Sequence, residues 1–239
     1  MGIEVSADKV VTLNDQHQNG VDTSVDGNPT KGRFRGITLL HVFSRNQRGA
    51  RRDDGNPLIH ALKGRKGFSI VAHWRGQVMA RSKAILEKAA EQLEGFDYVV
   101  PMPSSSPFCA EFAALVAQVC GAEILAPSFL RKRRVGEVLA EAKASPPNAG
   151  RDKRALASLL YAWERTNPEA IYQAKDVDVR LRLLFNAFAL EGEAPELQGK
   201  RVLIVDDIFA TGSSLASVRE IVGNQLGAEV SAVFFLSGV

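Results

Sequence analysis

Residues 201–215 read RVLIVDDIFATGSSL. Val202–Val205 form the continuous apolar run of a strand buried on both faces. Two adjacent carboxylates, Asp206 and Asp207, follow it, then a small-residue turn, Ala210-Thr211-Gly212-Ser213-Ser214. Beyond the turn, Leu215, Val218, Val222 and Leu226 recur at three to four residues, which predicts a helix with one apolar face. In a parallel sheet ligands bind at the carboxyl ends of the strands. Small residues there let successive backbone N–H groups point into one concavity. The helix N-terminus behind them favours an anion, and the hydroxyls of Thr211, Ser213 and Ser214 add donors. The turn therefore reads as a phosphate cradle. It has neither the Walker A spacing nor that of the Rossmann glycines. The two carboxylates would repel a phosphate, so they need a different partner. A sugar diol or a hydrated divalent cation such as Mg2+ suits acceptor-only hard oxygens. Alternation along a strand sends the two side chains to opposite faces unless the strand ends between them. A strand closing in helix-capping aspartates is the plain structural alternative.

Outward from this stretch, apolar runs and helices alternate. FDYVVPM (96–102), AEILAP (122–127), RVLIVDD (201–207) and EVSAVFFLSG (229–238) are predicted strands. CAEFAALVAQVCG (109–121) and SSLASVREIVGNQLG (213–227) are predicted helices. This order means an α/β fold: a doubly wound, mainly parallel sheet covered on both faces. Upstream, VVTL (10–13) and GITLLHVF (36–43) are candidate strands, and RNQRGARRDDGNP (45–57) is a loop. PLIHALKG (57–64) is a helix with Pro57 at its first position and Gly64 as its stop. MARSKAILEKAAEQLEG (79–95) is a second helix, with Gly95 as its stop. The long interruption 128–200 is basic at its start, and helices are expected at Ala155–Glu164 and Val179–Phe188. Insertions of this length are usually functional lids or disordered segments.

The chain has 239 residues, 45% of them apolar, which suits one α/β domain with an appendage or two small domains. No apolar run approaches ~18 residues, and MGIEVSADKVV lacks a signal-peptide pattern, so a cytoplasmic protein with no membrane partner is expected. Cys109 and Cys120 lie on one predicted helix, ~16 Å apart, too far to bridge each other, and are expected to be buried and reduced. Net charge is only +3, yet residues 31–66 carry ten Lys/Arg (Lys31, Arg33, Arg35, Arg45, Arg48, Arg51, Arg52, Lys63, Arg65, Lys66) against Asp53 and Asp54. Such a block suits a phosphate-rich partner: a nucleotide, pyrophosphate or nucleic acid. A solvated, solubilising surface accounts for it equally well. His60 and His73 read as core or surface histidines rather than catalysts.

VLIVDDIFATGSSL resembles the phosphoribosyl-diphosphate-binding motif of the type I phosphoribosyltransferases. That motif is an apolar strand, two acidic residues, two spacers, then T/A-T-G-x-T/S. NPLIHALKGRKG (56–67), FDYVVPMPSSSP (96–107), FLRKRR (129–134) and RLRLLFNAFAL (180–190) follow in the order of landmarks in ComF-like proteins of the same superfamily. The ComF cysteine-rich zinc region is missing, and the stretch from Arg134 to Arg180 is longer than in that subfamily.

The resemblance implies a glycosyltransferase of nucleotide metabolism that binds 5-phosphoribosyl 1-diphosphate and Mg2+. It would transfer phosphoribosyl to a nitrogen acceptor and release pyrophosphate. Ala210, Thr211, Gly212, Ser213 and Ser214 would hold the 5′-phosphate. Asp206 and Asp207 would address the ribose hydroxyls and the metal. Ser104, Ser105 and Ser106, with Arg133, would bind pyrophosphate. Arg131 and Lys132 would close over the leaving group and neutralise its charge. An ordinary Ser-Pro turn and a solvated charged loop fit the last two segments as well. A non-proline cis peptide is frequent at the serine loop of relatives. Members that use 6-oxopurines tend to carry Asp where this chain has Ala210, so such an acceptor is disfavoured. The implied division is 1–95 as N-terminal extension and hood-like region, and 96–239 as core with an inserted lid or hood segment, 128–200. A homodimer is common among relatives. Two other functions stay open: a non-catalytic nucleotide-binding regulator that contacts nucleic acid through 31–66, and a partner-dependent effector of a bacterial defence system.

Overall fold

A computed structural model describes residues 1–15, 20–45 and 56–237. Within them the chain is mixed α/β and divides into two compact units. One comprises Met1–Ala126, Lys200–Ala210 and Glu229–Val239, the other Pro127–Gly199 and Thr211–Ala228.

The chain opens with an antiparallel pair, β1 (Gly2–Val5) and β2 (Val11–Asn14). Next come β3 (Thr30–Phe34) and β4 (Ile37–Phe43), antiparallel to each other. Arg35 and Gly36 join them, both with positive φ (48° and 84°). This is the two-residue hairpin geometry whose twist matches its strands. Helices α1 (Pro57–Leu62), α2 (Ala72–Lys88) and α3 (Ala90–Leu93) precede β5 (Tyr98–Pro101). Helix α4 (Phe108–Cys120) ends at Gly121, left-handed at φ 69°, and leads to β6 (Glu123–Ile124).

The second unit begins with β7 (Leu130–Lys132), α5 (Val135–Ala144) and α6 (Lys153–Trp163), then β8 (Phe188–Leu190) antiparallel to β7. The chain returns to the first unit through β9 (Arg201–Ile208). It then forms α7 (Ser213–Arg219), continued by a π-helical turn at Glu220–Gln225, and ends with β10 (Glu229–Leu236).

Six strands form one sheet in the order β3-β4-β10-β9-β5-β6, parallel throughout except for β3. Alternate residues of its strands (Leu40, Val42, Val99, Leu203, Val205, Val233, Phe235) share a core with Leu58, Leu62, Val78, Ile85, Leu86, Phe108, Phe112 and Val116 of α1, α2 and α4. Phe235 is the hub, meeting Phe43, Phe108 and Phe112 edge to face at 4.9–5.2 Å. The chain leaves β5 outward to β6 and leaves β9 outward, in the other direction, to β10. The carboxyl ends of β5 and β9 therefore flank the topological switch point of the sheet.

Several expectations are corrected. The helix expected at 79–95 starts at Ala72 and breaks at Ala89. AEILAP contributes only two paired residues, both exposed, as suits a sheet edge. No helix forms at Val179–Phe188. Arg182 donates to the carbonyls of Val177 (2.8 Å) and Lys175 (2.9 Å) around a 3₁₀ turn, and Phe188 N–H donates to Ser217 Oγ (3.0 Å) as β8 begins. Helix α5 was not anticipated. Glu137 caps it by accepting from the Arg134 N–H (2.7 Å). The strand expected at 36–43 forms and pairs in the central sheet with Thr30–Phe34, which was not anticipated as a strand. Most of the loop 45–57 lies outside the described residues.

Candidate functional site

β9 runs past both carboxylates to Ile208, so they do alternate. Asp207 is buried and its Oδ2 forms an ion pair with Lys63 Nζ, whose side chain is only 10% exposed. That oxygen accepts no hydrogen bond of ordinary geometry. Asp206 Oδ1 accepts the Asp207 N–H at 2.8 Å and lies 4.0 Å from Cys109 Sγ. Burial pushes the Asp206 carboxyl well above the usual carboxylate range. The charge of Asp207 reinforces this, and Lys63 opposes it. The chain thus eases the repulsion between two neighbouring carboxylates: the surroundings of Asp206 oppose its ionisation, and Asp207 holds a buried ammonium.

At the neighbouring tip, β5 gives way to Ser104-Ser105-Ser106. Met102 N–H still donates to the Val205 carbonyl of β9 (2.8 Å), so the two tips begin side by side. Ser106 is buried and its Oγ accepts from the Phe108 N–H at 3.4 Å, at the start of α4. Ser104 and Ser105 are exposed. Arg65 Nη2 donates to Ser105 Oγ (2.8 Å). The one cis peptide among the described residues is Asn28–Pro29, so the serine loop is trans.

Cys109 is buried and free, and burial followed by the two aspartate charges pushes its thiol far up. It is therefore no nucleophile near neutral pH. Cys120, also free, is half-buried rather than buried. His60 stacks on Phe68 at 5.7 Å. Its pKa is lowered by burial first, then by Lys66, Arg65 and Lys63, against the opposing charge of Asp207.

Comparison with family models, curated proteins and solved structures returned no significant match.

The remaining sequence-predicted residues are placed as follows. Ala210 closes the first unit and Thr211 opens the second. Gly212 has φ 74°, a conformation that costs glycine little, and its carbonyl accepts the Ala216 N–H at 2.8 Å. Thr211 Oγ1 donates to Ser213 Oγ (3.1 Å), Ser213 is buried, and Ser214 is half-buried.

Arg131, Lys132 and Arg133 do not form a loop. Arg131 and Lys132 end β7, in the second unit, and Arg133 N–H donates to the Ala187 carbonyl at 3.0 Å. Arg131 grips Glu137 through both guanidinium nitrogens (one bond 2.7 Å), and Arg133 pairs with Glu141. Arg134 pairs with Glu169. The Arg131 hydrogen bonds hold Glu137 down at about 2.

In the sequence Lys63 and Arg65 stand in the basic block 31–66 and in the landmark NPLIHALKGRKG, with no site role attached. Their signal is the spacing in LKGRK, two cations flanking the glycine that stops the helix. Of the rest of that block, Lys31, Arg33 and Arg35 are exposed on and beside β3, whereas Arg48, Arg51 and Arg52 lie outside the described residues. No group of three or more His, Cys, Asp or Glu able to hold a metal occurs among the described residues. None of the described helices is long and apolar enough to cross a membrane.

Proposed function

We propose that the chain is a phosphoribosyltransferase-like protein that binds 5-phosphoribosyl 1-diphosphate. The observation that carries this reading is the switch point of the sheet, where Asp206 and Asp207 end one central strand and Ser104–Ser106 follow its neighbour. Ligands of open α/β sheets bind in this crevice. Asp207 would accept from the ribose diol. Asp206 can likewise accept from a sugar hydroxyl.

One carboxylate of the pair fits Mg2+ in kind, since that ion can take a single carboxylate and complete its shell with water and ligand phosphate oxygens. Bound there, it would neutralise charge building on the departing diphosphate. Asp207 would have to share its charge between that ion and Lys63. The chain's own residues bind and orient the donor so that a nitrogen acceptor meets C1 opposite the leaving group. Transfer of phosphoribosyl forms the C1–N bond, breaks C1–O and releases pyrophosphate. Ala210 disfavours a 6-oxopurine as acceptor.

The test is magnesium-dependent pyrophosphate release, with a panel of nitrogen acceptors, in wild type and in Asp206→Asn/Asp207→Asn. Release should fall by about a hundredfold or more in the double variant, the scale of losing preorganised polar groups at a reacting centre. Full activity in the double variant would remove the assignment. A nucleic-acid-binding reading is favoured by one observation, the exposed Lys31 and Arg33 on one face of the edge strand β3, with exposed Arg35 in the turn after it. It would show as oligonucleotide affinity falling steeply with salt.

A further inference from the structure

One short turn reaches both strand tips. Lys63 pairs with Asp207 at the end of β9, and two residues later Arg65 donates to Ser105 beyond β5 at 2.8 Å. The turn is held in a particular shape. Gly64, Lys66 and Gly67 all have positive φ (60°, 54° and 75°), and Lys9 Nζ donates to the Lys66 carbonyl at 3.1 Å. A non-glycine residue in that region persists only where its surroundings hold it. Arg75 fixes the helix before the turn, donating to the Leu62 carbonyl (3.3 Å) and pairing with Glu111.

The charges leave this place positive. Asp207 is matched by Lys63 and Glu111 by Arg75, so two further cations of the turn, Arg65 and Lys66, stand against the one remaining carboxyl, Asp206. Arg65 and Lys66 are exposed, and Arg65 rests on a neutral serine hydroxyl. His60 feels this field: all three cations of the turn disfavour its protonation. A guanidinium fork over exposed serine hydroxyls matches phosphate oxygens in geometry and charge.

We infer that the turn Lys63–Gly67 is the cationic half of a diphosphate-binding site whose other half is Ser104–Ser105, with Arg65 as the phosphate-gripping residue and Lys63 as the residue that positions the turn. This rests on the donor assigned above and differs from the expectation for Arg131–Arg133, whose arginines are committed to glutamates within their own unit.

The test is calorimetric binding of inorganic pyrophosphate to the full chain, in chelator and without divalent metal. Arg65 is exposed, so Arg65→Ala should fold as wild type does, and its affinity should fall by about tenfold or more, the scale of losing charge-assisted bonds. Arg65→Lys should recover part of it. Lys153→Ala/Arg154→Ala, which removes more charge at exposed positions of α6, should leave binding unchanged. The inference is overturned if wild type binds no pyrophosphate, if Arg65→Ala binds it normally, or if the Lys153/Arg154 variant loses as much. The two readings separate cleanly. Binding of 5-phosphoribosyl 1-diphosphate that needs Asp206 and Asp207 but not Arg65 keeps the donor and rejects this site. Arg65-dependent pyrophosphate binding, with no tighter binding of the phosphoribosyl compound, keeps this site and rejects the donor.

Discussion

His41 shows how much one side chain's surroundings matter. It lies in β4, its ring tilted against Phe209 and Phe234 with centroids 5.8 Å away, and its Nε2 is buried without a hydrogen-bond partner. Burial lowers its pKa from 6.5 to about 4. Between those values the unfolded chain binds a proton that the folded chain refuses, so stability rises with pH across this window and is lost on acidification. His41→Phe, which suits the aromatic neighbours, should remove that loss. The urea-unfolding free energies of variant and wild type should diverge by about 2–3 kcal/mol, in favour of the variant, between pH 7 and pH 4. A constant difference across that range would show that His41 does not titrate this way. Asp206 acts in the opposite sense. Its raised pKa means the folded chain keeps a proton that the unfolded chain releases, so its contribution declines as pH rises above the ordinary carboxylate range. Neither behaviour was legible in the sequence. His60 and His73 drew notice by position, whereas the unpartnered nitrogen of His41 exists only because aromatic rings from other segments close around it.

At the scale of elements, misreadings fall where local pattern and final pairing disagree. RKRR by itself suits either a basic lid or a solvated loop, but Glu137, Glu141 and Glu169 lie within 40 residues downstream and pair with its arginines at a strand end. Apolar spacing suggests a helix over Val179–Phe188, but a 3₁₀ turn held by Arg182 replaces it, and at Phe188 β-pairing with Lys132 takes over. The β3–β4 hairpin escaped notice because its turn is Arg-Gly rather than Asn-Gly or Asp-Gly. Arg35 holds φ 48° there, which costs a residue with an ordinary side chain roughly 1–2 kcal/mol. Arg35→Asn tolerates that conformation better and should raise the melting temperature by several degrees, on the order of 1 kcal/mol of stability. A melting temperature equal to or below that of wild type would argue against strain at this position.

For the whole molecule, the sheet places the last strand between segments far apart in sequence: β10 pairs with β4 on one side and β9 on the other. A chain ending at Gly227 would lose both ladders and the hub Phe235, so it should show no cooperative unfolding transition by circular dichroism. A sigmoidal transition with native-like signal would mean the rest of the sheet stands alone. The alternation of apolar runs with amphipathic helices from residue 96 onward determined the α/β class and the parallel strands. It did so because burial on both faces demands uninterrupted apolar residues, a property each strand carries alone. The carboxylate pair and the small-residue turn were likewise visible, being contiguous. What only the tertiary structure decided is which groups meet them. Lys63 on Asp207 and Arg65 on Ser105 join residues up to 144 positions apart, and charge pairing over such separations leaves no periodic trace in the chain. The folded sheet creates those neighbours when it sets β5 and β9 side by side at its switch point.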